Sequence, residues 1–307
     1  MSRAKFSAVA AAVLLALGVA NSASAGPVVV AGDFKISLDN YDSGTVGYGS
    51  ALGTVCATTA ACNTAAALKA IGSIGSDQPS ADTMGIFSIS KIVRVSDNNV
   101  WYSYGAGGLF LTGVFGNLID HTVTNASGGG SVVTTTTKSL GGTFSVYENT
   151  SDYNPVNGAA VTATKDLNDS SGLGLYPGIT SGSLYLSGVF SPGAILNDAV
   201  TTYTSSYNNV SLAGSGQGYI DLNGGSALNV FNTNGQMDGN GNAHDLFIST
   251  IFDAALAADK LNGWSVTSTA QIKGNAVPEP ESLALFAVAL LGLGAASRRS
   301  KAQAGDE

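Results

Sequence analysis

The chain has 307 residues, of which 44% are hydrophobic and only 11% charged; it carries 40 glycines and a net charge of −8. That acidity repels phosphate backbones and excludes nucleic acid as a partner. Two cysteines and two histidines leave few soft ligands for a metal centre, so no cofactor is expected.

The first 25 residues have the order of a signal peptide. Arg3 and Lys5 give a positive start, Val9 to Ala20 an apolar run, and Ala23-Ser24-Ala25 the small-x-small pattern that signal peptidase cuts, here before Gly26. The apolar run is too short for a membrane span of about 20 residues. The mature region, 26–277, holds eight Lys or Arg against 17 Asp or Glu, a net charge of −9. Its length suits one large β domain or two halves meeting near 130–140.

Cys56 and Cys62 are the only cysteines, and export places them in an oxidising compartment, so a disulfide across this short loop is expected. Asn63 to Ile71 reads as two helical turns capped by Asn63, and Asp253 to Leu261 as a second short connecting helix. Elsewhere apolar and polar residues alternate. The clearest strands are 34–38, 86–95, 143–147, 219–222, 228–231 and 264–267, while Phe247, Ile248, Ile251 and Phe252 make a denser run that suggests a strand buried on both faces. Asp97-Asn98-Asn99, Asn125 to Ser131, Asn223-Gly224-Gly225 and Asp238-Gly239-Asn240-Gly241 are turn signals between them. Gly108 to Phe115 also echoes Ser183 to Phe190 at a spacing of 75 residues. The expected fold is all-β, a sandwich of antiparallel sheets with short connecting helices.

The C-terminus carries Val277-Pro278-Glu279-Pro280-Glu281, then Ser282 to Ala296, almost wholly Leu, Ala, Val, Phe and Gly, then Arg298, Arg299 and Lys301. Prolines keep the first part extended and accessible. Fifteen helical residues at 1.5 Å each reach only about 22 Å, against a hydrocarbon core of about 30 Å. The basic cluster would stay on the cytoplasmic side. Residues 278–301 closely resemble the PEP-CTERM sorting signal, which implies recognition by an exosortase, a membrane transpeptidase-like enzyme. The resemblance implies secretion across the inner membrane, transient anchoring by the C-terminal transmembrane helix, and delivery to the cell surface or matrix. Gly141 to Tyr147, Asp166, Leu184 to Gly188, Phe231 to Gly235, Asp245 to Ile248, Phe252-Asp253 and Gly263-Trp264 resemble, in that order, the flocculation-associated subset of PEP-CTERM proteins. That resemblance implies a role in matrix, biofilm or aggregation and supplies no catalytic residues.

Catalytic constellations are lacking. His121 and His244 lie far apart, no Gly-x-Ser-x-Gly elbow has partners, and Asp166 with Asp169 reads as a polar turn. No enzyme is expected. Asp238, Asn240 and Asn242 offer alternate oxygens to a hard cation, but Ala243 and Ser249 stand where an EF-hand needs Gly and Glu; a Gly/Asn hairpin loop is the preferred reading. Trp101-Tyr102-Ser103-Tyr104 could present aromatic faces to sugars, or pack in the core. The expected function is a structural or adhesive surface protein, with exopolysaccharide or other copies of itself as partners; the alternative is a carbohydrate-binding module without catalytic activity.

Overall fold

The computed structural model describes residues 31–43, 82–128, 132–152, 178–208, 213–254 and 266–277. These form β1 (Gly32–Ser43), β2 (Asp82–Arg94), β3 (Val100–Ser103), β4 (Phe110–Gly128), β5 (Val132–Asn149), β6 (Ser183–Ser191), β7 (Tyr203–Asn208), β8 (Ala213–Gly224), the helical turn α1 (Leu228–Phe231), β9 (Gln236–Met237), β10 (Ala243–His244), β11 (Leu246–Ala254) and β12 (Val266–Ala276). The expected disulfide pair Cys56 and Cys62 and the expected helix at 63–71 lie outside the described residues.

Each wall strand pairs antiparallel with its neighbour in sequence: β1 with β2, β2 with β4, β4 with β5, β5 with β6, β6 with β8, β8 with β11 and β11 with β12. β12 then returns to β1, in register from Gly32 opposite Ala276 to Asp42 opposite Val266. The result is a closed eight-stave up-and-down barrel, not the expected sandwich. Period-two alternation is the same for one curled sheet and for two facing ones, so the pattern settles class but not closure. The stave between β5 and β8 is shared: β6 pairs with the later part of β5 and β7 with its earlier part, and residues 192–202 leave the wall between them. The boundary considered near 130–140 falls at the β4–β5 hairpin, inside this single wall.

Along the middle of β1, β8, β11 and β12 (34–40, 216–222, 246–252 and 268–276) the even-numbered residues are buried inward and the odd-numbered ones face outward. Eight staves leave an interior that side chains can fill. Phe87 stacks on Phe144 at 5.2 Å, Phe190 meets Tyr203 edge-on at 5.9 Å, and Phe34 meets Phe231 at 5.0 Å. A cavity of about 30 Å³ remains among Leu38, Phe144, Thr250 and their neighbours, room for about one water. Gly113 makes the Phe87 ring fit, since a Cβ there would stand 2.2 Å from it and 2.3 Å from the Ser145 carbonyl oxygen.

Two readings of local sequence are corrected. Leu228 to Phe231 is not a strand but a helical turn, because the chain reverses at Gly225 (φ +100°) and then buries Val230 and Phe231 across one end of the barrel. Phe231 packs there on Phe34 and Tyr185, and the Val230 carbonyl accepts the Val277 N–H at 2.9 Å. β11 is not buried on both faces: Ile251 is 60% exposed and Phe247 half-buried on the outside. Asp253, the expected start of a helix, still belongs to β11.

Candidate functional site

A group of interacting polar side chains lies outside the barrel wall, where residues 192–202 meet the β9–β10 hairpin. The excursion is held by Asp198, whose carboxylate accepts the N–H groups of Val200 and Thr201, the Thr201 hydroxyl and the Lys138 ammonium. The Thr201 bonds, first among these, hold Asp198 far below the usual carboxylate range against the pull of burial. Asn240 ties the hairpin to the excursion, accepting the Asn197 N–H at 2.7 Å and donating to the Ile195 carbonyl at 3.3 Å.

Between them opens a cleft of about 530 Å³, with Ser191, Asp221, Asn242 and His244 on its walls. His244 is nearly fully buried, stacked on Tyr219 at 4.7 Å. Its Nδ1 lies 3.0 Å from Asp221 Oδ1 and its Nε2 3.6 Å from Asp238 Oδ2. Ser191 donates to Asp221 Oδ2 at 2.5 Å. Ser, Asp and His are thus neighbours in the wrong order for nucleophilic catalysis. A triad needs the imidazole between hydroxyl and carboxylate, and here the carboxylate is in the middle. Gly193 seals the His244–Asp238 contact from outside; a Cβ there would sit 2.6 Å from Asp238 Oδ2.

The proposed cation ligands are engaged differently. Asp238 accepts the N–H groups of Asn240 (2.8 Å) and Asn242 (2.7 Å) and the Asn242 side-chain amide (2.9 Å). Loss of solvent pushes its carboxyl up, but the Asn242, Asn240 and His244 contacts outweigh this and bring it to about 2. Asn240 turns its oxygen to Asn197 and Asn242 turns its nitrogen to Asp238, so the three side-chain oxygens do not converge. This is a turn closed by an aspartate. Among the described residues, no three His, Cys, Asp or Glu side chains are grouped to hold a metal ion.

The aromatic platform considered at residues 101–104 does not exist. Trp101 and Tyr102 are both buried, and Tyr102 accepts the Leu111 N–H at 2.9 Å; burial, first, pushes its phenol up to about 12. Tyr104 donates to Asp152 at 2.9 Å and packs edge-on against Phe110. β3 crosses a covered part of the wall, so both of its faces are screened.

Several scattered motif pieces do converge, on Asp245. Its buried carboxylate accepts the N–H groups of Leu222 (2.8 Å), Thr233 (2.7 Å) and Asn234 (2.8 Å), stapling the segment after α1 to β8. Asp245 and the run Phe231 to Gly235 are therefore one structural knot. Ser191 and Asp221 were not singled out from the sequence, and His244 was read only as lying far from His121; the signal available was an outward Asp in β8 beside a His that comes after a turn.

His121 lies in β4, its side chain outside those described. Asp166, Asp169, the cleavage residues Ala23, Ala25 and Gly26, and the sorting residues Pro278, Glu279, Pro280, Arg298 and Arg299 fall outside the described residues, as does the C-terminal apolar helix. No helix among the described residues is long and apolar enough to cross a membrane. Neither a curated protein nor a solved structure matches the chain. Residues 276–299 match the family model of the PEP-CTERM protein-sorting motif. The match begins on the last residue of β12 and covers the Pro-Glu-Pro, the apolar run and the two arginines. By that motif the chain is an exported surface protein sorted by exosortase, the membrane enzyme that processes such tails.

Proposed function

We propose that the mature region, 26–277, is a non-catalytic structural or adhesive protein of the cell surface or extracellular matrix, promoting aggregation or flocculation within a biofilm. The observation that carries this reading is the polarity of the barrel. Its interior is mostly apolar, and its outer face on β1, β7, β8, β11 and β12 is mostly hydroxyls, amides and a few charges, with Phe247, Tyr219 and Ile251 among them. That is the reverse of a lipid-facing barrel. Hydroxyls and amides in register can bond polysaccharide or neighbouring copies. The test is floc formation in a gene-deletion strain complemented with the intact gene or with Pro278, Glu279 and Pro280 replaced. The intact gene restores flocs, and the sorting mutant leaves an unprocessed precursor without restoring them. Equal flocculation with and without the gene overturns the reading.

A further inference from the structure

Five basic residues of the mature region lie among the described ones: Lys35, Lys91, Arg94, Lys138 and Lys273. Two are ion-paired, Arg94 with Asp97 and Lys138 with Asp198. The other three share one outer face of the barrel, and none of them has a hydrogen bond or carboxylate partner within ion-pair distance among the described residues. Lys273 stands directly opposite Lys35 across the β1–β12 ladder. One step along, Gln271 stands opposite Ser37, and Ser37 opposite Lys91. Like charges directly opposite on one face of a sheet repel. Two acids flank these rows on β1, but neither is within ion-pair distance of the three lysines. The acids of this face, Asp33 and Asp39, stand at either end of it, and Asp33 is held by Asn275.

The same two rows continue across β11 and β8. Lys273 is opposite Phe247, and Phe247 opposite Tyr219; Gln271 is opposite Ser249, and Ser249 opposite Gln217. Phe247 and Tyr219 are both half-buried, with ring centres 5.1 Å apart. Five strands at about 4.8 Å spacing make this grid about 19 Å wide. One row runs from Lys35 through Lys273 directly to Phe247 and Tyr219, and the row beside it carries Lys91, Ser37, Gln271, Ser249 and Gln217.

We propose that this grid is a docking surface for an acidic polysaccharide, a polyuronate. Sugar faces lie on Phe247, whose ring Tyr219 backs, hydroxyls bond Gln271, Ser249 and Ser37, and uronate carboxylates pair with Lys35, Lys91 and Lys273. Charge complementarity selects the acidic polymer. A phosphate polyanion would find the lysines but no use for the amide rows. The proposal rests on the cohesion reading above, of which it names the ligand and the face.

The test uses the full chain, purified after export, in titrations with polygalacturonate, with neutral dextran and with double-stranded DNA. Polygalacturonate binds best and is displaced by salt. The triple variant K35Q/K91Q/K273Q melts no lower than the parent and binds about tenfold more weakly. F247S weakens binding at every salt concentration while leaving the salt dependence unchanged. Failure of the parent to bind polygalacturonate, unchanged binding in the triple variant, or equal binding of DNA overturns the proposal. Complementation separates it from the broader reading. If deletion abolishes flocs and the triple variant restores them fully, cohesion stands and this surface is wrong. If deletion changes nothing, cohesion itself is wrong.

Discussion

At the scale of single residues, carboxylates organise the outer loops and make the protein acid-sensitive. Asp97 is brought to about 2, first by the hydrogen bond from Arg94 and then by the Asn99 N–H. Asp238 is brought equally low by its Asn242, Asn240 and His244 contacts, against its loss of solvent. A carboxyl lowered in the folded state stabilises it above the ordinary value of 3.8 and loses that contribution as pH falls toward about 2. Thermal melts between about pH 5 and pH 2 should show stability dropping across this window. In a D97N/D238N variant the drop should be shallower; an equal drop would place the acid sensitivity elsewhere. The Lys35–Lys273 pair runs the opposite way. K273E replaces a repulsive cross-strand pair with an attractive one and should raise stability by about 0.2–1 kcal/mol, read from denaturant midpoints. These residues also mark a limit of sequence reading. Alternation alone puts Lys35, Lys91 and Lys273 on the outside of their strands, but only the register sets them side by side.

At the scale of elements, the echo between Gly108–Phe115 and Ser183–Phe190 gains a physical meaning. The two segments flank the same stretch of β5, one in β4 and one in β6. Each carries a glycine where another group comes too close for a side chain: Gly113 against Phe87 and Ser145, Gly188 against Ile220 and Asp221. G113A must displace both a buried ring and a backbone carbonyl, and should cost about 1–3 kcal/mol or more in chemical denaturation. The Asp245 knot is the other element-scale device. D245A leaves three backbone N–H groups without their carboxylate and should cost about 3–5 kcal/mol, with α1 and the segment after it losing amide-exchange protection before the wall does. Most wall strands were legible because one face is wet and the other dry. α1 was not, since Leu-Asn-Val-Phe also fits an alternating strand; its helical turn is set by the open barrel end that Val230 and Phe231 cover. Trp101 and Tyr102 misled for a related reason, β3 being screened on both sides.

At the scale of the whole molecule, closure decides what the surface can do. A sandwich would offer strand edges to other copies, and edge pairing was an attractive route to self-association. The pairing of β12 with β1 closes the ring of eight staves, so the proposed contacts to matrix run through outward side chains. Closure also predicts that the sorting tail is dispensable to the fold. β12 ends at Ala276, and the last backbone bond to α1 is made by the Val277 N–H. A chain ending at Val277 should therefore melt with the full chain, within about 1 °C. A fall of several degrees would show that the tail covers part of the barrel.

The pairing of β1 with β12 has a consequence for timing. Gly32 and Ala276 are ladder partners, so nearly the whole mature sequence separates the two strands that complete the ring. An exported chain that emerges amino end first must hold β1 with one side unsatisfied until the final staves have crossed. Loops of this length close slowly. The barrel thus becomes whole only as the sorting motif, whose match begins at Ala276, reaches the membrane. Completion of the fold and arrival of the sorting motif should therefore fall together, since only Val277 stands between the last strand and the Pro-Glu-Pro.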